Sequence, residues 1–121
     1  MARPEAYPGA NFRIVYAVCA SGSPAKEFFD ALDPKIQRKF AVSFKKLGDE
    51  GKLFNKEHFK AVEGTEFYEF KQHRYRIMCR FLPNRILLLT NGFEKKKERI
   101  DRDELRRADR IYQEDRERSG D

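Results

Sequence analysis

The segment RILLLTN, residues 85–91, constrains the fold more than any other part of the chain. Four consecutive apolar residues, 86–89, leave no polar face when side chains alternate along an extended strand. A strand of this kind is typical of the middle of a sheet that is covered on both sides. We therefore expect a central strand here, with a layer of structure on each face of the sheet.

A block of positive charge follows this strand almost directly. The residues 91–93 are expected to turn the chain, and a row of cations comes next: Lys95, Lys96, Lys97 and Arg99. Because a central strand is rigid, cations that emerge at its end would be held in place rather than spread over the surface. The alternative interpretation is a solvated linker before the last helix, which is common for a run of charge.

The chain is long enough for one domain with its own core. It has 121 residues, of which 40% are hydrophobic and 38% are charged, a composition that excludes a disordered polymer and a membrane protein. We expect a single domain over 1–121, with a core at about 12–112 and a flexible tail at 113–121. The net charge of +6 favours an anionic partner such as nucleic acid, an acidic lipid surface or an acidic protein.

Location and cofactors can also be predicted from the sequence. The N-terminal residues contain no apolar leader segment, and the longest apolar run is too short to cross a bilayer, so a cytoplasmic protein is expected. Cys19 and Cys79 lie in separate strand-like segments, and neither belongs to a metal-binding spacing. We predict two buried thiols, no disulfide, no metal and no cofactor.

The remaining elements follow from caps, breakers and periodicity. Residues 12–18 read as a strand, Ser23-Pro24 and Asp33-Pro34 each open a helix, and the second helix can end at Gly48 or Gly51. Residues 66–71, 74–82 and 85–91 read as strands with short connections, which require antiparallel neighbours. A last helix begins near 101–104. The prediction is an α+β fold of order βααβββα, with an antiparallel sheet packed on helices.

The hairpin between 66–71 and 74–82 divides its side chains between two faces. If residues 72 and 73 form the turn, Glu69 lies opposite Arg76 and Lys71 lies opposite Arg74. One face then points into the core: Tyr68, Phe70, Tyr75, Ile77, Cys79 and Phe81. The other face would form a basic patch: Glu69, Lys71, Arg74, Arg76 and Arg80. Because Gln-His is not a favoured tight-turn pair, a longer loop is the alternative.

Four short motifs in this order resemble the RelE/ParE toxin superfamily, and most closely its HigB-like and phage-derived toxin-like branch. They are FYEFK at 67–71, YRI at 75–77, GFEKK at 92–96 and EL at 104–105. The resemblance extends from about residue 12 to residue 110. It implies a RelE-like fold and the toxin of a type II toxin–antitoxin pair, which cleaves mRNA on the ribosome and is neutralised by a helix-turn-helix antitoxin.

The resemblance also assigns roles to residues. A metal-independent endoribonuclease of this kind directs the ribose 2′-OH at the adjacent phosphodiester, which needs a proton acceptor, a proton donor and cations near the phosphate. Arg76 matches the phosphate-stabilising arginine, while Lys95 and Lys96 match the basic residues of the GFEKK motif. Glu69 and His73 are the candidate proton acceptors. The expected RNA-binding residues are Lys71, Arg74, Arg80, Lys97 and Arg99.

Several alternatives stay open. Glu69 and Arg76 can form a cross-strand ion pair, His73 can be a solvated turn residue, and Lys71 and Arg74 can simply attract RNA. The same scaffold also supports a ParE-like toxin that binds DNA gyrase without cleaving RNA, or a phage-derived RNA-binding module.

Overall fold

The computed structural model describes residues 2–52, 55–96, 98 and 101–119. The described part is a mixed α+β structure with the element order ββααββββα. The strands are β1 (Glu5–Pro8), β2 (Arg13–Tyr16), β3 (Phe59–Ala61), β4 (Tyr68–Gln72), β5 (Tyr75–Leu82) and β6 (Ile86–Glu94). The helices are α1 (Pro24–Asp30), α2 (Pro34–Glu50) and α3 (Arg102–Ser119).

The six strands form one open sheet in the order β1-β2-β6-β5-β4-β3. The α+β class is confirmed, but the wholly antiparallel sheet and the simple βααβββα order are wrong. β2 and β6 run parallel, with Val15 beside Leu88, whereas every other neighbouring pair is antiparallel. Short connections dictate the direction only of strands that follow each other in the chain. Two helices and three strands separate β2 from β6, which leaves the chain free to return in the same direction.

The central position of β6 is confirmed. It lies between β2 and β5, and its side chains enter two separate cores. Leu87 and Leu89 pack with the first core, beneath α1 and α2, whereas Leu88 packs with the second core, beneath α3. Both faces of the strand are therefore buried, as its unbroken apolar run predicts.

Two edge strands, β1 and β3, were not predicted. β1 has the sequence EAYP and β3 the sequence FKA, so both are too short to show an alternating pattern. Each pairs with a single neighbour, β2 and β4 respectively. Their extended form comes from that pairing, and short edge strands are a common feature of open sheets.

The predicted helix starts are confirmed for both α1 and α2, but only α2 has a side-chain N-cap. Pro24 begins α1 as predicted, but the hydroxyl of Ser23 donates to the carbonyl of Ala17, 2.8 Å away, and does not cap the helix. At α2 the Asp33 carboxylate accepts a bond from the backbone N–H of Lys35, a true N-cap. Gly51 ends α2 in a left-handed conformation with φ of 78°.

The last helix continues to Ser119, into the segment where the sequence predicts a flexible tail. Asp115 is fully buried, and its carboxylate accepts a 2.7 Å bond from Nη2 of Arg3 and a 2.8 Å bond from the backbone N–H of Val18. The chain before residue 12 is therefore part of the packed structure, and it is joined to α3. A contact across more than 100 residues leaves no local signal in the sequence.

Membrane, thiol and metal features can be stated for the described residues. No helix among them has the length and apolar character needed to cross a membrane. Cys19 and Cys79 are both buried free thiols. No cluster of three or more histidine, cysteine or acidic side chains in the described ranges could hold a metal ion.

Candidate functional site

The β4–β5 hairpin turns one residue later than predicted. Gln72 pairs with Tyr75, so the turn residues are His73 and Arg74, and His73 takes a positive φ of 54°. Lys71 therefore lies opposite Arg76, so the prediction that Glu69 lies directly opposite Arg76 is wrong. The two side chains still form an ion pair across the strands, which confirms the alternative interpretation of these residues. The partner of each β4 residue moves by two positions along β5. Because side chains alternate with a period of two, the division between the faces is unchanged.

The face that was predicted to be apolar is confirmed. Its six residues all belong to the first core or pack against it: Tyr68, Phe70, Tyr75, Ile77, Cys79 and Phe81. The opposite face differs from the open basic patch that was predicted, because Glu69 and Arg76 are buried there and Met78 joins the core beneath α3. Of the basic residues predicted for this face, Arg74 is exposed, whereas Lys71 and Arg80 are half-buried.

Arg76 is held at the hairpin turn by its own guanidinium group. Nη1 donates to the carbonyl of His73 at 2.6 Å and to the carbonyl of Tyr75 at 3.0 Å. Nε lies 3.9 Å from Oε1 of Glu69 and has no hydrogen-bond partner among the described atoms. Burial lowers the pKa of Arg76, and the Glu69 carboxylate partly opposes that shift. Since arginine stays protonated in proteins, the structure fixes a buried positive charge at this point.

The structure brings Arg76 together with both lysines that follow the central strand. β6 ends at Glu94, and the backbone N–H of Lys95 then donates to the carbonyl of Arg74 at 2.6 Å, which ties the two chain segments together. An open depression of about 620 Å³ forms there, which we call the hairpin-end depression. It is lined by His73, Arg74, Arg76, Lys95, Lys96 and Glu98.

A second depression adjoins the first and shares Lys95 and Glu98 with it. Its other lining residues come from β3, the chain that follows β3, and β4, and they include Lys60 and Glu69. The pKa of Lys71, on the same strand as Glu69, is lowered by burial first and then by the positive charge of Lys60 and Arg76. Lys60 was not predicted as a site residue, because β3 itself gave no strand signal.

The two candidate proton acceptors have different environments. Glu69 is only 3% exposed, although it contributes to the wall of the second depression. His73 is exposed at the turn, and its Nε2 lies 3.4 Å from Nζ of Lys39 on α2. Lys39 was missed because it lies 34 residues before His73 in the chain. An exposed imidazole is easier for a substrate hydroxyl to reach than a buried carboxylate.

The predicted RNA-binding residues do not all share one surface. Arg74 belongs to the hairpin-end depression, where its Nε lies 3.4 Å from Oε1 of Glu94. Arg80 does not, because its guanidinium carbon lies 4.0 Å from the ring centre of Tyr112 and it forms an ion pair with Glu66. Four residues along β5 separate Arg80 from Arg76, which is about 13 Å.

Two further predicted residues, Lys97 and Arg99, lie outside the described residues. The cations that the structure brings together are therefore Arg74, Arg76, Lys95 and Lys96, with Lys71 and Lys60 beside them. Clustered lysine and arginine side chains bind phosphate oxygens, and an arginine with fixed geometry adds direction to that contact. The arrangement can hold an anionic group next to an imidazole.

Comparison with known proteins gives the family. The sequence profile of a protein family described as "Phage derived protein Gp49-like (DUF891)" matches residues 27–113. This range contains α2, β3 to β6 and most of α3. The described residues that line the hairpin-end depression all lie within this match. No curated protein matches the chain. Because the match covers well over half of the sequence, the chain belongs to the Gp49-like family of phage-derived proteins, which is part of the RelE/ParE-like toxin superfamily.

Proposed function

We propose that this protein is the toxin of a type II toxin–antitoxin pair, a HigB-like endoribonuclease that cleaves mRNA on the ribosome. The family is consistent with a toxin-like protein and suggests a nuclease. One observation carries the proposal: Arg76, Lys95 and Lys96 line a single open depression that His73 also lines. Cations arranged around a candidate proton acceptor are what a metal-independent cleavage of RNA needs.

In the proposed reaction the 2′-oxygen of a ribose attacks the adjacent phosphorus atom. The 2′-OH proton passes to a base on the protein, the P–O5′ bond breaks, and the 5′-oxygen receives a proton from an acid. The products are a 2′,3′-cyclic phosphate and a 5′-hydroxyl. Negative charge grows on the non-bridging phosphate oxygens in the transition state, so fixed cations accelerate the step.

The roles of the residues follow from their positions. Arg76, fixed by its bonds at the turn, and the lysines Lys95 and Lys96 stabilise the phosphate charge. His73 or Glu69 accepts the 2′-OH proton, and exposure favours His73. Lys95 or Lys96, which both line the depression, is the candidate proton donor to the leaving oxygen.

The open shape of the depression supports the proposal that cleavage requires the ribosome. A shallow surface cannot by itself align a flexible mRNA for in-line attack, and positioning supplies a large part of many enzymatic rate accelerations. In this proposal Lys71, Arg74, Lys97 and Arg99 hold the mRNA backbone. The inhibitor is a helix-turn-helix antitoxin, whose capture would be faster if it were acidic, because this chain has a net charge of +6.

The proposal is tested with Lys95→Gln combined with Lys96→Gln, since neither side chain forms a described ion pair or hydrogen bond. The matched control replaces Lys26 and Lys56, two lysines outside both depressions, by glutamine. Ribosomes programmed with a defined mRNA are incubated with each protein, and cut ends are mapped by primer extension. Removing a single transition-state donor typically costs about 10²–10³ in rate, so the double variant should lose at least that much while the control keeps wild-type cleavage.

One observation favours a second function, a ParE-like toxin that binds DNA gyrase. Arg76 already donates to two carbonyls and Glu69 is buried, so both have structural roles without any reaction. Wild-type cleavage that is absent on programmed ribosomes, together with gyrase-dependent DNA breaks in cells, would replace the nuclease proposal by this one.

A further inference from the structure

The outer face of α2 carries a row of cations that no carboxylate accompanies over most of the helix. Residues 34–48 contain no aspartate or glutamate, and five exposed basic side chains follow one face: Lys35, Arg38, Lys39, Lys45 and Lys46. The opposite face buries Phe40, Phe44 and Leu47 in the first core. α2 is therefore fixed to the sheet by its apolar side and presents nearly uniform positive charge to solvent.

The other long helix shows that this pattern is not general in the chain. α3 carries six arginines and six acidic residues, so its charges balance. Its arginines form local ion pairs, including Arg106 with Asp103 and Arg107 with Glu104. On α2, by contrast, Lys35, Arg38 and Lys46 form no ion pair with any residue that the structure describes, and Lys35 has like charges three and four residues further along the helix. Such spacing weakens a helix, and an anionic partner would relieve the repulsion.

The α2 face is continuous with the hairpin-end depression. Nζ of Lys39 lies 3.4 Å from Nε2 of His73, and His73 is followed by Arg74 on the rim of the depression. From Lys35 to Lys46 the helix rises about 16 Å. Basic side chains thus extend from Lys95 and Lys96, across the hairpin turn, and along α2, with Glu94 and Glu98 as the acidic residues at the depression.

The chemistry of this face fits a phosphate backbone better than a protein. Its centre contains one large exposed apolar side chain, Val42, which is 67% exposed. Stable protein interfaces usually have an apolar or aromatic core, whereas backbone contacts to nucleic acid come from flexible lysine and arginine side chains on a convex surface.

We infer that the outer face of α2 is a second RNA-binding surface, which holds the phosphate backbone of structured RNA while the hairpin-end depression engages the strand to be cut. The inference rests on the proposed function for the choice of RNA as the partner. It adds a contact that none of the predicted site residues supplies.

The test replaces Lys35, Arg38 and Lys46 by glutamine, which keeps helix propensity and leaves Lys39 and the Lys45–Asp49 pair in place. The matched control replaces three exposed arginines of α3 by glutamine: Arg102, Arg106 and Arg110. Both variants lose the same charge. Circular dichroism and the thermal midpoint confirm that each is folded.

Binding of a labelled RNA hairpin with a stem of about 16 base pairs is followed by fluorescence anisotropy between roughly 50 and 200 mM salt. Three lost phosphate contacts should reduce the slope of log K against log salt by about 2–3 and weaken binding at least about tenfold at the lowest salt. The α3 variant should keep the wild-type slope. A parallel titration uses poly-L-glutamate as an acidic protein-like probe.

Equal losses of RNA affinity in the α2 and α3 variants would mean that only net charge matters. Unchanged RNA binding by the α2 variant would mean that this face binds no RNA. Either result overturns the inference. So does a loss confined to poly-L-glutamate, which would indicate an acidic protein partner. If the wild-type protein does not cleave mRNA on ribosomes but the α2 variant still loses RNA binding selectively, the proposed function fails and this inference stands.

Discussion

The contribution of the buried ion pair between Glu69 and Arg76 to the stability of the protein can be tested directly. Their side chains are 3% and 10% exposed, and Oε1 lies 3.9 Å from Nε. At an effective dielectric constant of about 20, two unit charges at this separation attract by about 4 kcal/mol. Desolvation opposes that attraction, so the pair contributes less in net terms than this figure.

Removing one partner should be much worse than removing both. Arg76→Gln leaves the Glu69 carboxylate buried without its cation and removes the Nη1 bonds to the turn carbonyls, so we expect a loss of about 3–5 kcal/mol in the free energy of unfolding. The double variant Glu69→Gln with Arg76→Gln has no orphaned charge. The coupling energy of the double-mutant cycle should therefore be about 2–4 kcal/mol.

Urea unfolding of the wild type, the two single variants and the double variant measures each free energy, and equal m-values show that the unfolding transition is comparable among them. A parallel cycle on the exposed pair Lys26 and Asp30, 2.7 Å apart on α1, serves as the control and should give a coupling below about 0.5 kcal/mol. If the Glu69–Arg76 coupling is as small as that of the control, the pair is screened by solvent, and the argument that burial fixes the Arg76 charge is wrong.

Two further predictions concern packing and pH. Gly92→Ala should destabilise the protein by about 1–3 kcal/mol in urea unfolding, because the added Cβ would lie 2.1 Å from the ring of Phe28, and Phe28→Leu in the same chain should recover part of the loss. Burial raises the pKa of Glu104 above its ordinary 4.5, so its contribution to stability is present below that value and is lost as the pH rises through the raised pKa. Glu104→Gln should therefore gain stability relative to the wild type as the pH rises above the ordinary value of 4.5, and a constant difference between the two urea midpoints would refute the assignment.

Local sequence rules located most of the secondary structure. The helix that opens at Asp33-Pro34, the central strand and the apolar face of the hairpin depend on caps, apolar runs and side-chain alternation, which act over a few residues. Gly92 shows the limit of such rules. It was interpreted as a turn residue, but β6 runs straight through it, and the glycine is needed because the ring of Phe28 occupies the space of a side chain.

In the candidate site, too, some features could be predicted from the sequence and others depend on tertiary contacts. The sequence identified Arg76, Lys95 and Lys96 as a group, and the structure places all three around one depression. It gave no indication of Lys39 or Lys60, which reach the site from α2 and from an edge strand. It also grouped Arg80 with these cations, whereas the ring of Tyr112 on α3 keeps that arginine elsewhere.

The sequence by itself determined the helices α1 to α3 and the strands β2, β4, β5 and β6, the apolar side of the hairpin, and that positive charge follows the most buried strand. Only the tertiary structure decided that β2 and β6 run parallel, where the β4–β5 hairpin turns, and that the Arg76 charge is buried beside Glu69. The reason is physical: caps and alternation act between neighbours in the chain, whereas strand direction, hairpin register and desolvation depend on groups that meet only when distant segments pack together.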